Sequence, residues 1–264
     1  MKPTLKGILY IATGERHCQE AVANAMASRL HAAACPIVLI TDCVSAAQAS
    51  GAFDKVLPHP DPRHGYRDKI SGMLQLPFAQ TLFLDSDARL TAPVEALFAA
   101  QGCADLAAVQ APVRLPAGWR DQQVPDLFSE INSGVLLWKR SRKQRALVRR
   151  WLSLYDQLQE SSGQAWDQAS LRSVLWWFVQ NRRFGLTLLP AEANFRTTKP
   201  WVAGRGLPVH VLHGRVPADE TEALLDYLNS NIDRFRTWAE WHQRNPQTKL
   251  RLRIGEVPPD PSSG

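Results

Sequence analysis

Residues Thr81–Leu90 read TLFLDSDARL, an apolar run that stops abruptly at two carboxylates one residue apart, Asp85 and Asp87. A short, continuous apolar run of this kind predicts a strand buried on both faces, as in a parallel sheet. Ending it in D-x-D delivers two hard oxygen donors to the carboxyl edge of the sheet, where α/β proteins bind their ligands. Three readings compete for the pair: turn residues closing the strand, the nucleophile motif of a phosphatase, or a grip on a divalent metal whose open positions take diphosphate oxygens.

The chain on either side keeps the rhythm of an α/β protein. KGILYIA (Lys6–Ala12) is a strand, Gln19 to Ala33 an Ala-rich helix, PIVLITD a second strand ending at Asp42, and FDKVLP (Phe53–Pro58) a third. A helix from Tyr66 to Leu76 stops at Pro77, PVEALFAA opens a helix at Pro93, and DLAAVQA is a strand. EINSGVLLWKR follows a Pro-bearing loop at Ala111 to Pro125 and is a strand with Asn132-Ser133-Gly134 at its entrance. Two helices come next, then the strand LTLLP, a loop AEANFR, the strand VHVLHGR and an amphipathic helix from Asp219 to His242. This succession predicts an α/β fold with a Rossmann-like, mostly parallel central sheet flanked by helices, in a single domain over residues 1–254. The polar, Pro-rich residues 255–264 are expected to be a disordered tail.

Composition narrows the setting. At 264 residues and 45% hydrophobic content the chain can bury a substantial core. Cys18, Cys35, Cys43 and Cys103 show no C-x-x-C spacing and no histidine at zinc-finger distance, which argues against a disulfide scaffold or structural zinc and for a reducing cytoplasm. No stretch approaches the roughly 18 to 20 apolar residues of a membrane span. The formal charge of +6 is concentrated in WKRSRKQRALVRRW, residues 138–151. Leu147, Trp151, Leu154, Tyr155 and Leu158 recur there at helical spacing, so the basic residues form the solvated face of a helix. Peripheral contact with anionic lipid through residues 139–150 is the functional alternative to that bland reading. Nucleic acid is not expected, because no interleaved aromatic motif accompanies the charge.

Three further features follow the D-x-D in chain order. Asn132-Ser133-Gly134 combines an amide with small, backbone-exposing residues; Asp167-Gln168 places a carboxylate and an amide at a helix start; His213 ends a late apolar strand before Gly214 and can reach outward as a third metal ligand. Taken singly, each has a structural reading: a tight strand entrance, a helix cap, a core histidine.

Together, the order IATG, K-I before an apolar strand, FLDSDARL, INSGVLLW, WDQ, LPAEANF and VLHG resembles the GT-A glycosyltransferases of the glycogenin and bacterial lipopolysaccharide galactosyltransferase type, from Lys6 to Arg215. The resemblance implies a GT-A fold, a nucleotide-diphosphate sugar donor, most simply a UDP-sugar, an acceptor that is a glycan, a lipid-linked molecule or a protein, and Mn²⁺ or Mg²⁺ as cofactor. It implies that Asp85 and Asp87 touch ribose and metal, that His213 is the late metal ligand, and that Ala12 and Thr13 cradle the nucleotide. Lys69, with Arg67 as a substitute, would steady the phosphates. Asn132, Ser133 and Gly134 would lie near the donor sugar, and Asp167 and Gln168 beside the anomeric carbon. The family's late H-x-x-G-x-x-K-P-W is absent; HGRVPA stands in its place, leaving Arg215, or Lys199 upstream, for the diphosphate.

A haloacid-dehalogenase-like phosphatase would carry its D-x-D near the N-terminus and a late paired-acid site, neither of which is present here. A nucleotidylyltransferase would need a Gly-rich loop where IATGERH has one glycine. A non-catalytic nucleotide-sugar-binding protein of the same fold is the remaining alternative.

Overall fold

The structure is a computed structural model that describes residues 5–111, 121–182, 184–199 and 201–252. The expected tail at 255–264 and most of the loop expected between Ala111 and Pro125 lie outside the described residues.

The chain opens with β1 (Lys6–Ile11), α1 (Glu15–Arg29), β2 (Ile37–Thr41), α2 (Val44–Ala49) and β3 (Lys55–Pro58). Next come α3 (Tyr66–Gly72), β4 (Gln80–Leu84), β5 (Ala88–Leu90), α4 (Glu95–Gln101), β6 (Leu106–Gln110) and β7 (Ile131–Lys139). The long helix α5 (Arg142–Ser162) and α6 (Asp167–Asn181) lead to β8 (Leu186–Leu189), β9 (Phe195–Arg196), β10 (Val202–Ala203) and β11 (Val211–His213). The last elements are α7 (Thr221–Asn229), β12 (Arg236–Thr237) and α8 (Trp238–Arg244).

Seven strands form one sheet in the order β3-β2-β1-β4-β7-β6-β8. β7 runs antiparallel to β4 and β6, and the other neighbours are parallel. Alternation along β1 explains the two-sided core, since successive side chains point to opposite faces. Ile8 and Tyr10 join Leu82 and Leu84 under Ala21, Ala25 and Leu97, while Leu9 joins Phe83, Leu136 and Trp138 under Trp151, Leu171 and Leu175. Each fully buried large side chain of this kind contributes roughly 1.5–3 kcal/mol relative to exposure.

A smaller sheet, β5-β11-β9, sits beyond the carboxyl end of β4. β11 is antiparallel to β5 with His213 opposite Ala88, and parallel to β9 with His213 opposite Arg196. Its outer side is covered by a separate cluster that includes Phe195, Trp201, Leu224, Tyr227 and Trp241.

Three local expectations need correction. The first helix runs from Glu15 to Arg29, starting directly after Gly14 at φ 79° and stopping well short of Ala33. Asn132-Ser133-Gly134 does stand at the entrance of its strand, directly after Ile131 in β7, and is buried there. AEANFR is not an open loop; Ala191–Asn194 form a 3₁₀ turn and Phe195–Arg196 form β9. The single helix expected over Asp219–His242 is instead α7 and α8, separated at Ser230–Phe235. The break has two causes. Asn229 turns its amide onto the backbone of Val209, and the Thr237 hydroxyl starts a new helix by accepting the Glu240 N–H at 3.2 Å. Arg236, fully buried between them, donates to the carbonyls of Gly204, Leu207, Ile232 and Arg234.

Candidate active site

A cleft of about 710 Å³ opens at the carboxyl edge of the central sheet, and Asp85, Asp87, Lys69, Asp167 and His213 all line it. β4 ends at Leu84, so Asp85 is the first residue past the sheet; its N–H still donates to the Gly134 carbonyl at 2.8 Å and its carbonyl accepts from Ala88. This tight turn holds both acids at the strand end. The β5-β11 ladder then brings His213 alongside: its Nε2 lies 3.4 Å from Asp87 Oδ1 and 3.8 Å from Asp85 Oδ2.

The three residues offer ligand atoms that lie within 4.8 Å of one another, and among the described residues they are the one such trio of acids, thiols or imidazoles. Two carboxylates and an imidazole are donors suited to a divalent ion such as Mn²⁺. Gly134 makes room for the cluster. A Cβ there would stand 2.2 Å from His213 Cε1 and 2.7 Å from Asp85 Oδ2, closer than packed atoms approach. Its contribution is therefore space, and it does not line the cleft itself.

Electrostatics follow from burial against pairing. Burial raises the Asp85 carboxyl above the usual range, with Lys69 and His213 opposing. For Asp87 burial acts the same way, but the His213 hydrogen bond and charge, with Arg215, outweigh it and hold the carboxyl well below that range. Lys69 is buried, which pulls its ammonium down, yet Asp167 and Asp85 prevail and hold it above the ordinary lysine value. Its Nζ lies 2.8 Å from Asp167 Oδ2 and 3.3 Å from Asp85 Oδ1, and donates to Ser133 Oγ at 3.0 Å. Ser133 passes a hydroxyl hydrogen on to Asp167 Oδ2 at 2.5 Å. Asp167 is thus a paired, buried carboxylate at the start of α6, and Trp151 of α5 fixes that start by donating Nε1–H to the Asp167 carbonyl at 3.0 Å.

The end of the cleft beside β1 is equally ordered. Ala12 and Thr13 follow β1; Thr13 Oγ1 donates to Asp68 Oδ2 at 2.6 Å, and Gly14 N–H donates to Asp42 Oδ1 at 2.9 Å. His64 meets the other Asp42 oxygen at 2.8 Å. Arg67, offered as a substitute for Lys69, is turned away and forks Asp156.

Of the candidate residues, all but Gly134 and Arg67 line the cleft. Arg215 and Lys199 line it too; Arg215 forks Glu20 at 2.6 and 2.9 Å and lies 3.8 Å from Asp87. Sequence reasoning passed over Arg196, Asn194 and Glu130. Arg196 lines the cleft, and its buried Nε has no hydrogen-bond partner among the described residues. A position at the end of LPAEANFR gives no hint of this, since only the β9-β11 pairing turns Arg196 toward the acids. A larger groove of about 1150 Å³, between α5 and α6, is lined by Arg142, Lys143, Arg150 and Trp177. It contains none of the three metal-donor residues.

Solved structures share this architecture. The galactosyltransferase LgtC, in complex with donor and acceptor sugar analogs, superposes at a TM-score of 0.52 with 16% identity, over 81% of this chain and 88% of that one. The bifunctional glycosyltransferase WbbM matches at 0.52 and 12% identity, over 75% of this chain and 41% of its own. The glycosyltransferase GlyE of Streptococcus pneumoniae matches at 0.51 and 16%, over 80% and 54%. The chain has the GT-A glycosyltransferase fold. By sequence, no protein-family model and no curated protein matches it. In GT-A terms, the D-x-D stands at the end of the central strand β4, and the late histidine comes from the small sheet laid across it.

Proposed function

We propose that the protein is a metal-dependent glycosyltransferase that moves a sugar from a nucleotide-diphosphate sugar, a UDP-sugar in the simplest case, to a glycan, lipid-linked or protein acceptor. The observation that carries the reading is the convergence of Asp85, Asp87 and His213 on one point inside a cleft that also holds Lys69, Asp167 and Arg196. Asp85, Asp87 and His213 would hold Mn²⁺ or Mg²⁺, with the imidazole favouring Mn²⁺. When bound, the ion supplies positive charge beside the departing diphosphate.

The protein's own groups do the rest. Ala12 and Thr13 receive the nucleotide, and Asp85 also meets the ribose. Arg196, with an unsatisfied buried N–H, and Arg215 or Lys199 face the diphosphate; Lys69 keeps Asp85 and Asp167 in place behind it. Asn132 and Ser133 border the donor sugar, and Asp167 and Gln168 lie beside the anomeric carbon, where a carboxylate opposes developing positive charge. A cytoplasmic setting, with the exposed basic face of α5 against anionic lipid, completes the proposal. Among the described residues no helix is long and apolar enough to cross a membrane.

The test is a panel of nucleotide sugars offered with and without Mn²⁺, read by nucleotide release and thermal shift. Metal-dependent release with one donor is expected, abolished in Asp87→Ala and His213→Ala variants that keep their circular dichroism. No response to any donor would sink the proposal. Phosphate release from simple phosphomonoesters would favour the phosphatase, and donor binding without turnover the non-catalytic reading.

A further inference from the structure

Behind His213 runs a line of buried polar side chains with a single direction. His213 Nδ1 lies 2.8 Å from Asn194 Oδ1. Asn194 Nδ2 donates to Asn132 Oδ1 at 2.7 Å, Asn132 Nδ2 to Gln168 Oε1 at 2.7 Å, and Gln168 Nε2 to Glu130 Oε1 at 2.9 Å. All five residues are at most 5% exposed, so no bulk water competes for these groups.

An amide has a donor end and an acceptor end, and reversing one of these would set N–H against N–H on one side and oxygen against oxygen on the other. The direction is pinned twice. At the far end Glu130, when ionised, can only accept from Gln168, and its Oε2 has no partner of its own among the described residues. In the middle, the backbone N–H of Gly134 donates to Asn132 Oδ1 at 3.1 Å, and a backbone N–H can only donate. Asn194 therefore presents oxygen, not nitrogen, to His213. A neutral imidazole facing that oxygen must carry its proton on Nδ1, which leaves the Nε2 lone pair on the side of Asp85 and Asp87.

We propose that Asn194 is a positioning residue for the metal: as the last link of the chain from Glu130, it holds His213 in the one tautomer whose Nε2 can ligate. The inference rests on the proposed metal role of His213. It also ties that histidine to Gln168, so the metal side and the sugar side of the cleft share one rigid polar framework. Such partners of a ligating histidine typically change metal affinity by about 10- to 100-fold when lost.

The experiment uses metal-free, full-length protein labelled with ¹⁵N-histidine, with His213 assigned by difference from His213→Gln, at a pH above which its ring ¹⁵N shifts no longer change. Two-bond ¹H–¹⁵N correlations report which ring nitrogen carries the proton, and Mn²⁺ affinity is measured in parallel by electron paramagnetic resonance. Wild type should show protonated Nδ1. Asn194→Leu, of similar shape, should lose that tautomer and bind Mn²⁺ about 10- to 100-fold more weakly. Asn194→Asp, which can only accept, should retain the tautomer and bind at least as tightly as Asn194→Leu. A wild-type His213 protonated on Nε2 would overturn the proposal without any variant having to fold. A folded Asn194→Leu protein with unchanged tautomer and unchanged Mn²⁺ affinity would do the same. Because the tautomer is read without metal or donor, failure of the nucleotide-sugar panel alone would remove the transferase reading and leave this one standing.

Discussion

His213 pairs with Ala88 across the β5-β11 ladder, and that register sets its Nε2 3.4 Å from Asp87 Oδ1. A strand of three residues from late in the chain thereby completes a site begun at the end of β4. The geometry of that meeting point supports four predictions.

Gly134→Ala should be far more damaging than its size suggests. The added Cβ falls 2.2 Å from His213 Cε1 and 2.7 Å from Asp85 Oδ2, so at least one of them has to move. Overpacking of this kind costs about 1–3 kcal/mol, which urea unfolding would detect. Mn²⁺ affinity should fall as well. Gly65→Ala is the control, since a Cβ there meets nothing within 4 Å.

Lys69→Met should strip the buried cation from between Asp85, Asp167 and Ser133. Breaking a buried pair by removing one partner costs on the order of 3–5 kcal/mol, because the remaining charge is left uncompensated. Chemical denaturation would measure this loss. A double variant, Lys69→Met with Asp167→Asn, should recover part of it.

Glu130 should make stability depend on pH. Burial pushes its carboxyl up from 4.5 to about 7, against the weaker pull of the Gln168 hydrogen bond and Arg172. A folded-state value above the unfolded one means the fold prefers the protonated form. Its contribution is full below about pH 4.5 and is lost as pH rises through about 7, by on the order of 3 kcal/mol. Glu130→Gln cannot ionise, so its stability should lack that decline. Unfolding curves for both proteins at pH 5 and pH 8, outside any metal or donor, would show it; parallel pH profiles would refute the assignment.

Arg196→Ala should weaken the donor's diphosphate contact while sparing the metal. The buried, unpartnered Nε is a donor in want of an acceptor, and a charge-assisted hydrogen bond contributes about 1.5–3 kcal/mol, or roughly 10- to 150-fold in affinity. Titration with nucleoside diphosphate in the presence of Mn²⁺ should register that loss. Mn²⁺ binding alone should be unchanged or tighter, because a neighbouring positive charge has gone.

Much of this architecture is legible from local pattern. TLFL announces β4 because it is apolar throughout, and the acids after it announce a sheet edge; both follow from a strand's buried environment, which sequence records directly. His213 is readable for the same reason, as the polar end of an apolar strand. Gly134 is not readable in its real role. The absence of a side chain has meaning only once β7 lies against β4 and β11 crosses above them. Asn194, Glu130 and Arg196 were hidden similarly, since their partners are distant in sequence and amides or arginines near a turn look like solvated loop residues. The overlong C-terminal helix came from following apolar spacing through Asn229-Ser230-Asn231, where side chains compete for the backbone, and past the Thr237-x-x-Glu240 box.

The small sheet has a mechanical consequence. Asp85 directly follows the last core-sheet residue of β4 and Asp87 directly precedes β5, while His213 belongs to a layer whose outer side carries Leu224, Tyr227 and Trp241. An ion gripped by all three is a rivet between the two layers. Whatever loosens the C-terminal layer, by proteolysis, by a cavity at Trp241 or by a partner pulling on α8, would also open the grip, so a hold on such an ion would double as a gauge of whether that layer is seated.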